Sequence, residues 1–190
     1  MVRSLQLLND LMGSSHPYSL QWGKQPQFFL QLLNDLMVSS HTSSSYTDPT
    51  NSLLSFGYSL LTNKVASAVQ LVGFDHFVGY LHSSFYGRPA LALDLVEEFR
   101  PIIVDSVVLN MLNNRMLTPE DFVGELGAYR LKQEKRKVFF TKFEERLNEE
   151  VQHPLFGYKT TYRRCIELQA RLLAKHLTGE IETYPPLRIR

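Results

Sequence analysis

Leu53–Val72 reads LLSFGYSLLTNKVASAVQLV, and Ala90–Asn113 reads ALALDLVEEFRPIIVDSVVLNMLN. Both stretches are long, apolar and poor in charge. A helix that is hydrophobic on most sides is buried, so each predicts a helix at the centre of a bundle. Pro101 lacks a backbone N–H and cannot continue a regular helix, so the second one should kink or break there. Between the two runs, Gly73–Tyr80 (GFDHFVGY) reads as a tight connector. Tyr86-Gly87-Arg88-Pro89 reads as a turn, with Pro89 in the first turn of the following helix.

Outward from this pair, Thr42–Asn51 (TSSSYTDPTN) is a loop in which Asp48 and Pro49 favour a turn and Thr50 or Asn51 can cap the first apolar helix. Thr118 and Asp121 have capping-box spacing, with Asp in place of the usual Glu or Gln. Residues 131–152 and 158–178 read as two charged helices, and Tyr184–Arg190 as an extended, Pro-rich tail. No stretch alternates well enough to predict a sheet. The class is mostly α, a multi-helix bundle, with residues 48–190 as one helical domain.

Residues 1–47 form an atypical leading segment. Leu5–Met12 and Leu30–Met37 both read LQLLNDLM, at an offset of 25 residues, and eleven of the twelve positions from each Leu to the following His are identical. Packing requires a pattern, not identity, and two copies are too few for a solenoid. The repeat reads as a recent duplication or a damaged coding region.

Composition narrows the class without naming a function. A hydrophobic share of 44% and a charged share of 21% are those of an ordinary soluble domain. The net charge of +1 does not announce nucleic acid. The distribution is uneven. Residues 1–96 carry four Lys/Arg and five Asp/Glu, against sixteen and fourteen in residues 97–190, and there is no glutamate before Glu97. The single cysteine excludes an intrachain disulfide and a cysteine-rich zinc site, and Cys165 sits in an apolar face as a buried small residue. No apolar run approaches the roughly 20 residues of a membrane span, and no signal peptide is legible.

The chemistry concentrates on the second helix. Asp94 and Glu97, three residues apart, share one face of an otherwise apolar element, with Glu98 beside them. Carboxylates among Leu, Val and Phe need a cation, and Arg88, Arg100 or a metal ion can supply it. His82 lies just upstream in Gly79-Tyr80-Leu81-His82. One imidazole and two carboxylates suit Mg²⁺ or Mn²⁺. An acidic pair beside arginine is also an ordinary salt bridge, and a lone histidine an ordinary core residue. Spacing alone leaves both readings open.

The wording of the motifs adds to this. Asn51–Tyr58 (NSLLSFGY), Gly79–His82 (GYLH), Gly87–Pro101 (GRPALALDLVEEFRP) and Tyr162-Arg163-Arg164 with Gln169-Ala170-Arg171 resemble, in order and spacing, the CRISPR adaptation integrase family. The likeness extends over residues 48–186. It implies the helical C-terminal domain of that family, which joins foreign DNA to the CRISPR array by metal-dependent transesterification. On it, His82 and Glu97 are metal ligands, Asp94 supports the site, and Arg88 is a basic residue near DNA. The implied partners are double-stranded DNA (prespacer and CRISPR repeat), the small ferredoxin-like subunit of the adaptation complex, and a second copy of the chain. The implied location is the prokaryotic cytoplasm.

Two features depart from the family. Its N-terminal β domain has no counterpart here, which leaves dimerisation in doubt and reads as an N-terminal truncation. Its first metal ligand, a glutamate upstream of the histidine, is also missing, and the LQLLNDLM duplication stands in its place. Asp10 and Asp35 are one methylene shorter and lie outside the motif. The expectation is an integrase or endonuclease with weakened metal affinity and impaired catalysis. The alternative is a non-catalytic DNA-binding or assembly module derived from the family.

Two basic stretches complete the reading. Arg130–Arg146 holds seven basic and three acidic residues with Phe139, Phe140 and Phe143 interleaved, and Lys135, Arg136 and Lys137 are its candidates for DNA phosphate contact. Arg163, Arg164, Arg171 and Lys175 make a second stripe. His153 follows Glu149 by four residues and reads as an exposed helix end. Tyr58 and Tyr162 either approach the site or simply pack.

Overall fold

The computed structural model describes residues 48–79, 89–125 and 128–188. The long first helix, α1, spans Pro49–Val72. Its N-cap is Asp48, ahead of the expected Thr50 or Asn51. The Asp48 carboxylate accepts from the amides of Thr50 and Asn51 at 3.0 and 3.1 Å, and Pro49 occupies the first turn, where a missing N–H costs nothing. The helix ends at Gly73, whose φ of 98° is the left-handed conformation that glycine adopts freely. Leu53, Leu61, Val65 and Val69 are fully buried, as an apolar central helix requires.

The second apolar run is divided at Pro101 as expected, and a wider turn keeps it going. Helix α2 (Ala90–Arg100) passes into a π-helical turn at Pro101–Asp105 and then into α3 (Ser106–Asn113). Proline removes one rung of the hydrogen-bond ladder and the turn widens to absorb it. The carbonyl of Ile102 is satisfied from the side, by Ser106 Oγ at 2.6 Å and Arg146 Nε at 3.0 Å. Phe99, Ile103 and Val104, which flank the junction, are fully buried.

Helix α1 packs most extensively on α2, and then on the last helix, α5 (Tyr162–Leu177). Gly57 permits its closest approach to the π turn. A Cβ added there would stand 2.5 Å from Val104 Cγ1 and 3.1 Å from Phe139 Cζ. Helix α4 (Gln133–Asn148) closes the bundle with Phe139, Phe143 and Leu147, four residues apart and fully buried. Each such side chain contributes about 1.5–3 kcal/mol of burial. Both charged helices are shorter than the sequence pattern predicted.

The expectation of no sheet needs correction. Strands β1 (Phe122–Glu125) and β2 (Ala128–Leu131) form one antiparallel hairpin, and β3 (Glu150–Gln152) and β4 (Lys159–Thr161) another. The first opens after a short 3₁₀ turn, where Thr118 and Asp121 make the reciprocal capping box that their spacing predicted. Its partners Phe122 and Leu131 face the core, while Val123 and Tyr129 are exposed. Ser52 Oγ of α1 donates to the Tyr129 carbonyl at 2.5 Å and pins the hairpin to the bundle. Among the described residues, no helix is long and apolar enough to cross a membrane.

Candidate functional site

Helix α2 carries the acids, and each has a different environment. Glu97 faces solvent and accepts a hydrogen bond from Arg100 Nη1 at 2.8 Å, one turn further on. Arg100, one of the cations the sequence offered for these carboxylates, is thus bonded to Glu97. Asp94 is half-buried, and its Oδ2 would lie 3.0 Å from a Cβ added to Gly79. The same Cβ would meet Ala90 Cβ at 2.5 Å and the Ala90 carbonyl carbon at 2.7 Å. Gly79 is therefore required by close approach. Without a side chain, it lets the connector lie directly on the start of α2 beside Asp94. The connector is further tied there by Leu91 N–H donating to the His76 carbonyl at 3.0 Å.

His82 and Arg88 lie outside the described residues. Among the described residues, no three of His, Cys, Asp and Glu are grouped to hold a metal ion. Asp94 and Glu97, one turn apart, are oxygen donors of the kind hard cations take.

A polar network that the sequence reading missed lies behind Glu97. The Arg100 guanidinium stacks 4.1 Å from the centre of the Tyr58 ring. Tyr58 Oη in turn donates to Asp105 Oδ1 at 2.6 Å. Asp105 is 5% exposed. Burial raises its carboxyl above the usual range, while the Tyr58 hydrogen bond and Arg100 oppose that rise. Burial and the Asp105 carboxylate likewise push the Tyr58 hydroxyl well above the usual tyrosine range. Tyr58, left open between site and packing, contacts Arg100, the partner of Glu97, and the buried Asp105. The available signal for Asp105 was a lone acid inside the apolar run PIIVDSVVL.

Glu98 is the acid that points inward. Its Oε1 accepts from Tyr184 Oη at 2.6 Å, and its Oε2 from Leu187 N–H at 2.9 Å and Gln169 Nε2 at 3.1 Å. Burial raises its carboxyl, and the three donors oppose the rise.

The basic candidates are mostly engaged with acids. Arg163 pairs with Glu144, which also holds Lys64 at 3.0 Å. Arg164 pairs with Glu167, and Arg171 lies 3.8 Å from the same carboxylate. Lys135 is 3.3 Å from Asp121, and Arg136 Nε donates to the Leu131 carbonyl at 2.8 Å. Lys137 is exposed. A groove of about 990 Å³ between α3 and α4 is lined by residues such as Asn110, Phe140, Lys142 and Arg146, and by none of the predicted site residues.

Two single-residue expectations part ways. Cys165 is buried, and burial pushes its thiol up to about 11, so it is a packing residue as read. His153, read as an exposed helix end, is 1% exposed. Helix α4 stops at Asn148, and His153 sits at the base of the β3–β4 turn, where its Nδ1 accepts from the amides of Leu155 and Phe156 at 3.3 and 3.4 Å.

A family model described as "CRISPR associated protein Cas1" matches residues 26–145. The chain belongs to the Cas1 family. The match spans α1, the acids of α2, the π turn and most of α4, and it begins ahead of the second LQLLNDLM copy. A Cas1 endonuclease of Thermus thermophilus is 52% identical over 143 residues, covering 75% of this chain and 43% of that relative. A fusion of Cas4 exonuclease and Cas1 endonuclease from Geobacter sulfurreducens is 49% identical, over 73% of this chain and 25% of the fusion. The chain thus spans less than half the length of these Cas1 relatives.

Among solved structures, a Cas1 protein from Thermotoga maritima superposes with a TM-score of 0.62 at 34% identity, over 69% of this chain and 41% of that one. A casposase bound to integration product superposes at 0.67 and 33% identity, over 75% and 40%. The mostly helical class holds, and the shared part is the helical part of Cas1.

Proposed function

We propose that this chain is the helical core of a CRISPR adaptation integrase, built for metal-dependent transesterification of foreign DNA into the CRISPR array and weakened in that chemistry. The observation that carries the reading is the environment of Asp94. It stands one turn from Glu97 on α2, with Gly79 packed directly against it. Gly79, three residues ahead of His82 in the sequence, is the described residue that lies against Asp94. His82 and Glu97 are proposed as ligands of Mg²⁺ or Mn²⁺, with Asp94 in support. The chemistry such an ion supplies when bound is polarisation of the scissile phosphate and a lower pKa for the attacking hydroxyl. Arg100 bonds the Glu97 carboxylate at 2.8 Å.

Double-stranded DNA is the proposed polyanion. Arg88, Lys135, Arg136, Lys137, Arg163, Arg164 and Arg171 are its proposed contacts, with Lys135, Arg163, Arg164 and Arg171 exchanging intramolecular carboxylates for phosphates. The small ferredoxin-like subunit and a second copy of the chain are the proposed protein partners. Domain organisation follows the same reading, with 1–47 atypical and 48–190 functional.

The chain has no glutamate ahead of Glu97. With one carboxylate fewer the site is undercharged, so weak Mn²⁺ binding and slow strand transfer are expected. The same observation, together with the Glu97–Arg100 pair, favours a second reading as a non-catalytic DNA-binding module. Strand transfer of a short duplex with Mn²⁺ tests both, using the wild type, His82→Ala and Glu97→Ala. Residual transfer that both variants abolish supports the integrase. DNA binding with no transfer in any of the three supports the module. Absence of DNA binding at low salt overturns both, and efficient transfer by the wild type overturns the proposed impairment.

A further inference from the structure

We infer that the C-terminal segment Tyr184–Leu187 is a positioning strap for α2, keyed to the buried carboxylate of Glu98. The inference rests on the reading of Asp94 and Glu97 as site residues. Glu98 takes three donors, from Tyr184, Leu187 and Gln169, residues 71 to 89 positions away in sequence. Gln169, 1% exposed, completes the clamp, since its Nε2 also approaches Tyr184 Oη at 2.8 Å and the Pro185 carbonyl at 3.0 Å. Leu187, 6% exposed, seats the strap in the core.

A carboxylate is a costly way to fill such a position. Taking an ion out of water is costly, and an apolar side chain of similar volume would pack without that cost. A charged acceptor provides directionality, because three donors converge on two oxygens. Glu97 and Glu98 are adjacent, about 100° apart around the helix axis. Holding Glu98 on the inner side therefore fixes the angle at which Glu97 and Asp94 are presented. Leu95 and Phe99 anchor the same helix by packing, which lacks the directionality of these hydrogen bonds. Arg100 stacked on Tyr58 secures a second point on the same helix. Glu98, Gln169 and Tyr184 are thus positioning residues, which act through Asp94 and Glu97.

The test uses the full chain with Tyr184→Phe, which removes one hydroxyl, and Glu98→Gln, which turns an acceptor into a donor. Two readouts are taken: amide hydrogen exchange along residues 90–100 and 139–147, and Mn²⁺ affinity by electron paramagnetic resonance. Exchange in α2 should quicken about tenfold in Tyr184→Phe while α4 is unchanged. Mn²⁺ affinity should fall about tenfold, the usual cost of disturbing groups behind a ligand. Unchanged α2 exchange overturns the strap, and so does equal loosening of α2 and α4, which marks a general stability contribution. Mn²⁺ affinity unchanged while α2 loosens also overturns it. A wild type that binds no Mn²⁺ sinks the metal reading instead, and the exchange pattern then decides the strap alone.

Discussion

The Tyr58 hydroxyl donates to Asp105 Oδ1 at 2.6 Å, joining the middle of α1 to the π turn. The contact gives a buried acid its donor. The face of the same tyrosine ring supports Arg100, whose guanidinium holds Glu97. One residue of α1 therefore serves both the solvent-facing acid and the buried one.

Asp105 gives the protein a pH signature of definite sign. Burial raises its carboxyl in the folded state, so the folded protein keeps that proton to higher pH than the unfolded chain does. Its contribution to stability is full below the ordinary aspartate value of about 4 and is lost as pH rises through its folded value. Asp105→Asn is neutral throughout and keeps a carbonyl acceptor for Tyr58. The melting temperature of the wild type minus that of the variant should fall as pH rises above about 4. A flat difference would show that Asp105 does not couple folding to protonation.

Gly57→Ala opposes two effects. Replacing glycine by alanine inside a helix gains about 1 kcal/mol of propensity. Overpacking costs about 1–3 kcal/mol, and here the new methyl would meet Val104 Cγ1 at 2.5 Å on a fully buried residue. The clash should win. Urea unfolding should report a net loss of up to about 2 kcal/mol, and a stabilised variant would mean that the π turn yields more easily than its packing implies.

Glu97→Gln should separate site from fold. Its pair with Arg100 is half in water, with side-chain exposures of 40% and 20%, so its contribution is under about 1 kcal/mol. Thermal unfolding should hardly move while Mn²⁺ binding is lost. A large drop in melting temperature would instead make the pair a structural element.

If the α5 stripe contacts DNA, replacing Arg163, Arg164 and Arg171 together by Ala should flatten the dependence of log affinity on log salt by up to about 2.7, near 0.9 for each phosphate no longer neutralised. Fluorescence anisotropy across a salt series measures that slope. An unaltered slope would assign these arginines to Glu144 and Glu167, their partners in the structure.

The central pair of helices was legible because burial on most sides leaves a long apolar run, and Pro101 can do little but interrupt one. The acids of α2 were legible as oddities among leucines. Their partners were not. Nothing local to Glu98 points to Tyr184 or Leu187, which arrive only when the chain has closed. The hairpins escaped notice because strands of three and four residues are too short to show alternation, and the first is held by Ser52 of α1 from outside its own pattern as well as by its Phe122–Leu131 pair. His153 was misread because helical spacing from Glu149 was assumed beyond the point where the helix stops at Asn148.

The widened turn at Pro101–Asp105 makes length itself a constraint in this stretch. Residues on either side of it are indexed to different neighbours, Glu97 and Glu98 upstream, Asp105 downstream. Losing or gaining one codon between them would rotate everything beyond by about 100°, carrying Asp105 away from Tyr58 without altering a single side chain. Substitutions here are graded in effect, whereas a one-residue insertion or deletion is all-or-none.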